Sequence, residues 1–246
     1  MKRWLAFDTS TDVLSLALAQ GDRTWTHTLP GGAQASATLI PAVLDLLAQA
    51  DMPLTALDAI VFGRGPGSFT GLRTACSVAQ GLALGAQLPV LPVDTLLAVA
   101  EEARLQAGGP ETLTVLALLD ARMDEIYSAV YRHDAGAWTA CSPLQVCAPE
   151  RIALPTEAEL LMAGNVFDLY GERLPAGPRL QALPTARALL SLAPALWASG
   201  QAVPAEQAMP LYIRDKVAQT TAEREAQKMQ AATLAQAASH PPAAAA

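Results

Sequence analysis

The chain has 246 residues, 52% of them hydrophobic, with 16 Lys and Arg set against 23 Asp and Glu. That apolar share is ample for one large or two small cored domains. A net charge of −7 with no cationic stretch argues against tight electrostatic binding of nucleic acid by this chain alone. Cys76, Cys141 and Cys147 form no CxxC pair, as expected of a reduced, cytoplasmic protein. His27, His133 and His240 stand too far apart for an HxxxH or HExxH pair, so no histidine-ligated catalytic metal is expected.

In chain order, the first apolar run, Trp4 to Phe7, is interrupted by Asp8. It is too short for a secretory signal, and nowhere do about 18 apolar residues follow one another as a membrane span requires. Leu5 to Leu18 reads as strand, acidic turn and returning strand, and Thr24 to Leu29 as a further strand. A helix is expected over Ser36 to Ala50, a short strand over Ala59 to Gly63 and a second helix over Thr70 to Ala86. Ala-Gly-Gly-Pro near Arg104 to Glu111 marks a boundary. Beyond it, Ala117 to Val130 repeats the hairpin of Leu5 to Leu18: an apolar strand ends on Asp120 as the first ends on Asp8, with a second Asp four residues on in each case. Strand-like residues follow over Trp138 to Val146, then a helix near Thr156 to Leu160 and an apolar run from Leu160 into Gly164 and Asn165. After Lys216 the composition turns to Ala, Gln and Thr, a helix-prone or disordered tail.

Between the Ala59 strand and the Thr70 helix the chain reads Gly63-Arg-Gly-Pro-Gly-Ser-Phe-Thr-Gly-Leu-Arg73, four glycines in eleven residues. Glycines at a strand-to-helix turn permit positive φ and close approach, and Ser68 or Thr70 is placed to cap the helix start. The loop is therefore either a tight turn or an anion cradle. The Walker pattern fails for want of a lysine, and the dinucleotide pattern fails because Ser68 and Thr70 stand where a third glycine is needed. If a nucleotide binds, its candidate contacts are Asp8, Gly65, Gly67, Ser68 and Thr70. Asp8 and Asp120 at strand ends suit either a cation-holding carboxylate or plain turn chemistry. Ser68 lacks the G-x-S-x-G elbow and a histidine partner, and Cys76 falls on an apolar stripe, so no catalytic constellation is evident.

Two helices carry more than a core contact needs. Leu39, Ile40, Val43, Leu44, Leu46 and Leu47 spread over a wide arc of the first, and Thr74, Ser77, Val78, Gly81 and Gly85 lie opposite the core stripe of the second. Two glycines inside a helix, each costing about 1 kcal/mol relative to alanine, want a reason such as close approach of another helix. The candidate partner interface is accordingly Leu39, Val43, Leu47, Thr74, Ser77, Val78, Gly81 and Gly85.

The run GRGPGSFTGLR over 63–73, then Ala79-Gln80-Gly81-Leu82-Ala83, with Asp8-Thr9-Ser10 before it, Asp120-Ala121-Arg122 after it and Pro210-Leu-Tyr212-Ile-Arg214 near the end, closely resembles the TsaB (YeaZ) family over roughly residues 1 to 216. The resemblance implies an α/β fold of two duplicated actin-like domains (the ribonuclease H-like, ASKHA superfamily), each a mixed sheet with flanking helices. On this reading 1–106 and 107–216 are the two domains and 217–246 the tail. It also implies a non-catalytic subunit in the synthesis of N6-threonylcarbamoyladenosine in tRNAs that read codons starting with A. Such a subunit docks the catalytic TsaD, works with the ATPase TsaE and meets tRNA only through the complex; alone it is either a homodimer or a monomer. It needs no cofactor of its own, with ATP or ADP placed at most at a subunit junction. One departure is Ala35, where the family often has histidine before the first helix. The competing reading is a nucleotide-dependent kinase or transferase of the same fold that uses Asp8 and the glycine loop; a peptidase lacks any nucleophile and base.

Overall fold

Period-two apolar runs lay down two sheets in the same way. In the structure, a computed structural model that describes residues 2–154 and 160–214, β1 (Arg3–Asp8) and β2 (Val13–Gln20) form an antiparallel hairpin that β3 (Arg23–Pro30) extends. α1 (Ala35–Gln49) leads to β4 (Ala59–Gly65), and α2 (Phe69–Ala86) to β5 (Val90–Asp94), both running parallel to β1. After α3 (Thr95–Gln106), β6 (Leu113–Arg122) and β7 (Glu125–Asp134) make the second hairpin, which β8 (Ala137–Ala140) and the short β9 (Gln145–Cys147) extend. β10 (Leu160–Gly164) and β11 (Arg179–Gln181) then lie parallel to β6, with α4 (Phe167–Tyr170) between them and α5 (Ala186–Ala198) after them. The strand orders are β3-β2-β1-β4-β5 and β8-β7-β6-β10-β11, one topology used twice.

Both expected hairpins form, and the expected helices run over Ala35–Gln49 and Phe69–Ala86. Strand β4 continues two residues past Gly63, and the Trp138 stretch divides into β8 and β9. Most of the helix expected near Thr156, and the whole 217–246 tail, lie outside the described residues.

Residues up to Ile213 form one compact unit built in layers. One face of the first sheet, with Leu5, Phe7, Leu14 and Ile60, is covered by α1 and α2. Its other face, with Trp4, Ala6 and Val61, packs on α5 and part of α3. The opposite side of α3, with Leu96, Val99 and Ala103, meets β6 and β7, so this helix lies between the sheets. Eight of its twelve residues are buried, including Glu101 and Glu102, which is why it shows little of the stripe of a surface helix. Glu101 accepts four hydrogen bonds: two from Arg104 (2.9 and 2.8 Å), one from Trp138 Nε1 (2.8 Å) and one from Ser191 Oγ (2.6 Å). Among the described residues no helix is long and apolar enough to cross a membrane.

Candidate functional site

The glycine loop and the turn after β1 interlock. Ser68 donates its backbone N–H to the Ser10 carbonyl (2.8 Å), Thr9 Oγ1 donates to the Gly71 carbonyl (2.7 Å), and Gly65 N–H reaches Thr95 Oγ1 (3.0 Å). A Cβ on Gly67 would meet Ser10 Cβ at 2.6 Å, and one on Gly71 would meet the Thr9 carbonyl oxygen at 1.8 Å. Gly65 combines a φ of +121° with an approach that would bring a Cβ to 2.6 Å from the Leu211 carbonyl oxygen, so only glycine suits the position. The glycine contacts are thus taken by the chain itself, which is the tight-turn reading of the loop rather than the anion cradle. Gly65 is buried and Gly67 half-buried under these contacts, whereas Ser68 and Thr70 are exposed. Ser68 holds the N-cap position of α2 without a side-chain capping bond, and Thr70 lies in its first turn.

Asp8 is wholly buried. Its Oδ1 accepts from Ser10 N (2.8 Å) and Ser10 Oγ (2.6 Å), while Oδ2 packs against Gly63 with no hydrogen-bond partner among the described residues. Burial pushes its carboxyl up to about 6 against the downward pull of the Ser10 bonds. The folded protein therefore takes up this proton before the unfolded chain does, and the stability gained in acid is lost as pH rises through 6. We expect unfolding free energy in urea to be about 2 kcal/mol higher at pH 4.5 than at pH 7 on this account. The Asp8→Asn variant should lack this component; an unchanged pH profile in the variant would refute the assignment.

The second acidic turn has a different construction. Arg122, Met123 and Asp124 take φ of 59°, 56° and 62°, so three successive residues supply the left-handed turn without glycine. Asp120 Oδ1 accepts from Arg122 N (2.9 Å) and Tyr170 Oη (3.1 Å), which is turn chemistry. Arg122 also reaches Asp12 (2.9 Å), joining the two acidic turns. Among the described residues no cluster of three or more His, Cys, Asp or Glu is placed to hold a metal.

The helical face needs a correction as well. Leu39, Val43 and Leu47 are buried in the chain's own core beneath α1, so they cannot present a free surface. The apolar arc is split, and its exposed members are Ile40 and Leu44. On α2, Thr74 and Val78 are half-buried, with Val78 packed on the core, while Ser77, Gly81, Leu84 and Gly85 are exposed. Among the described residues a Cβ on Gly81 or Gly85 would meet nothing within 4 Å, so neither glycine is explained by packing among them.

Sequence reasoning missed the end of this face. Phe69 is exposed, its ring 5.3 Å from that of Tyr212, and the Arg73 guanidinium lies 3.8 Å above Phe69 and donates to Tyr212 Oη (3.1 Å). The segment carrying Tyr212 is tied to α2 and to the loop by Gln80 Nε2 to the Ala208 carbonyl (2.8 Å) and by Leu211 N to the Arg64 carbonyl (2.7 Å). The Phe69 and Arg73 spacing of four was the available signal, since it puts both on one side of a helix.

Two matching mixed sheets with helices between and outside them define an α/β protein of the actin-like, ribonuclease H-like fold. The family model for TsaD, tRNA N6-adenosine threonylcarbamoyltransferase, matches residues 27–245. The tRNA threonylcarbamoyladenosine biosynthesis protein TsaB of Escherichia coli is 34% identical over 88% of this chain and 96% of its own length. That of Haemophilus influenzae is 36% identical over 87% and 94%. The solved structure of YeaZ from Pseudomonas aeruginosa is 43% identical and superposes with a TM-score of 0.80, covering 87% of this chain and all of its own. The chain belongs to the TsaB (YeaZ) family of the threonylcarbamoyltransferase group.

Proposed function

We propose that this chain serves the formation of N6-threonylcarbamoyladenosine in tRNA as a non-catalytic subunit that docks and activates a TsaD-type catalytic subunit. Relatives sharing about a third of its residues are named for tRNA threonylcarbamoyladenosine biosynthesis, which supports the pathway. The observation that carries the docking role is the outer face of α2, where Gly81 and Gly85 are exposed and approached by none of the described residues, in a helix whose other side is core. Each glycine weakens the helix by about 1 kcal/mol relative to alanine, a sacrifice that close approach of a partner helix accounts for. α1 lies beside α2 over the same sheet face and adds the exposed Ile40 and Leu44. The catalytic step and tRNA contact then belong to the partner, in keeping with the acidic balance of this chain. The matched strand orders support reading the two halves of the sequence as a duplicated unit. The self-filled glycine loop gives no support to the kinase or transferase alternative.

Gly81→Leu and Gly85→Leu each place a branched side chain on that face with room to spare in the free chain. Both should fold with an unchanged circular dichroism spectrum and lose co-purification with the TsaD of the same organism. A normal complex in both variants would remove the docking face proposed here.

A further inference from the structure

The side of the first sheet away from α1 and α2 holds an open cavity of about 630 Å³ between α5 and the strand ends where β1 begins and β2 turns into β3. Its apolar wall is made by Trp4, Trp197, Leu190 and Pro194. This size and lining suit a small molecule, since such sites are concave, largely apolar and supplied with a few placed polar groups.

The polar groups are mostly donors. Lys2 holds its ammonium 4.0 Å from the centre of the Trp197 ring and 3.9 Å from Asp58, too far for a direct bond to that carboxylate. Arg187 gives one N–H to Glu102 (2.9 Å) from a guanidinium with five to offer. Trp4 is only 8% exposed, and its indole N–H has no acceptor among the described residues, although buried indoles normally find one. Against these donors stand the Asp22 carboxylate on the lining, the Asp58 and Glu102 carboxylates that pair with Lys2 and Arg187, and Ser191, whose hydroxyl is engaged with Glu101 (2.6 Å). Two cations and two indoles thus converge on one cavity in a chain whose overall charge is −7.

We propose that this cavity binds a small aromatic oxyanion, its ring against the Trp4, Leu190, Pro194 and Trp197 wall and its phosphate or carboxylate at Lys2 and Arg187. Rings on this wall gain area burial and aromatic contact, and the oxyanion meets charged donors in a partly desolvated setting, where such bonds are strongest. The proposal is independent of docking through α2, which lies across the sheet.

Calorimetric titration of the full chain with 1-naphthyl phosphate and with 1-naphthoate tests it, with 1-naphthol and inorganic phosphate as the ring-only and anion-only controls. At least one of the two ring-bearing anions should bind with a Kd below about 1 mM, both controls should bind at least about tenfold more weakly, and Lys2→Gln should weaken the binding at least about fivefold. Binding of the first alone marks a phosphate site and of the second alone a carboxylate site. Trp197→Leu should weaken binding likewise, and Lys2→Gln should leave the melting temperature unchanged because Lys2 is exposed. A Kd above that limit for both compounds, equal binding of either control, or an unaffected Lys2→Gln variant overturns the proposal.

Discussion

Replacing Gly71 with alanine is expected to destabilise the fold by about 4 kcal/mol, beyond the usual range for overpacking, because the obstacle is backbone rather than a side chain that can turn away. The added methyl would sit 1.8 Å from the Thr9 carbonyl oxygen. Relief requires α2 to lift from the turn after β1, and that movement would break the Thr9 Oγ1 bond to the Gly71 carbonyl and the Ser68 N–H bond to the Ser10 carbonyl. It would also disturb Gly67 on Ser10 and the buried Asp8 carboxylate that Ser10 holds. Gly81→Ala in the same helix should do the opposite and stabilise by about 1 kcal/mol, since the site is open and alanine is the better helix former. Urea unfolding of the two variants beside the parent measures both. A loss below about 1 kcal/mol in Gly71→Ala would mean that the two loops are not locked as described.

The contrast between these glycines shows how far the sequence could be read. Strand and helix placement followed from periodicity, and the two hairpins could be matched because each strand ends on an aspartate in the same frame. The glycine run announced a special backbone, but its purpose depended on what stands opposite. Those partners, Thr9, Ser10 and Leu211, come from distant parts of the chain, and the loop carries no mark of them. The same blindness put Leu39, Val43 and Leu47 on the partner face: an arc of apolar residues does not say which part of it meets the sheet below. Gly81 and Gly85 were legible as exceptions because a glycine in a helix conflicts with local propensity wherever it faces. The Phe69, Arg73 and Tyr212 cluster was hidden for a different reason, since a contact between a helix start and a strap far along the chain leaves no periodic trace. Helix α3 was passed over because both of its sides are core. Its Glu101-Glu102 pair resembles a solvated surface until the donors around it are seen.

Glu101→Ala is expected to destabilise by about 4 kcal/mol, comparable to breaking a buried ion pair from one side. The carboxylate is 2% exposed and is the common acceptor for three residues on three elements: Arg104 of α3, Trp138 of β8 and Ser191 of α5. Truncation strands a guanidinium, an indole N–H and a hydroxyl together, each of which must then find water in a layer between two sheets. Glu101→Gln keeps the volume and one acceptor oxygen but turns an amide N–H₂ toward donors, so it should recover only part of the loss. Burial raises the Glu101 carboxyl, and the bonds from Arg104, Ser191 and Trp138 outweigh it and hold the group below its ordinary value. Its stabilisation is therefore present above the ordinary carboxylate range and is lost as pH falls through the lowered value. Asp8 titrates with the opposite sign and at higher pH, so stability should rise on acidification from neutral and fall again in stronger acid. Glu101→Gln should shrink the acid limb, to which the lowered Asp124 and Glu150 also contribute, and leave the Asp8 limb, while Asp8→Asn should remove the Asp8 limb alone. A parent profile that declines steadily from pH 7 downward would show that the Asp8 carboxylate is not held as the structure has it.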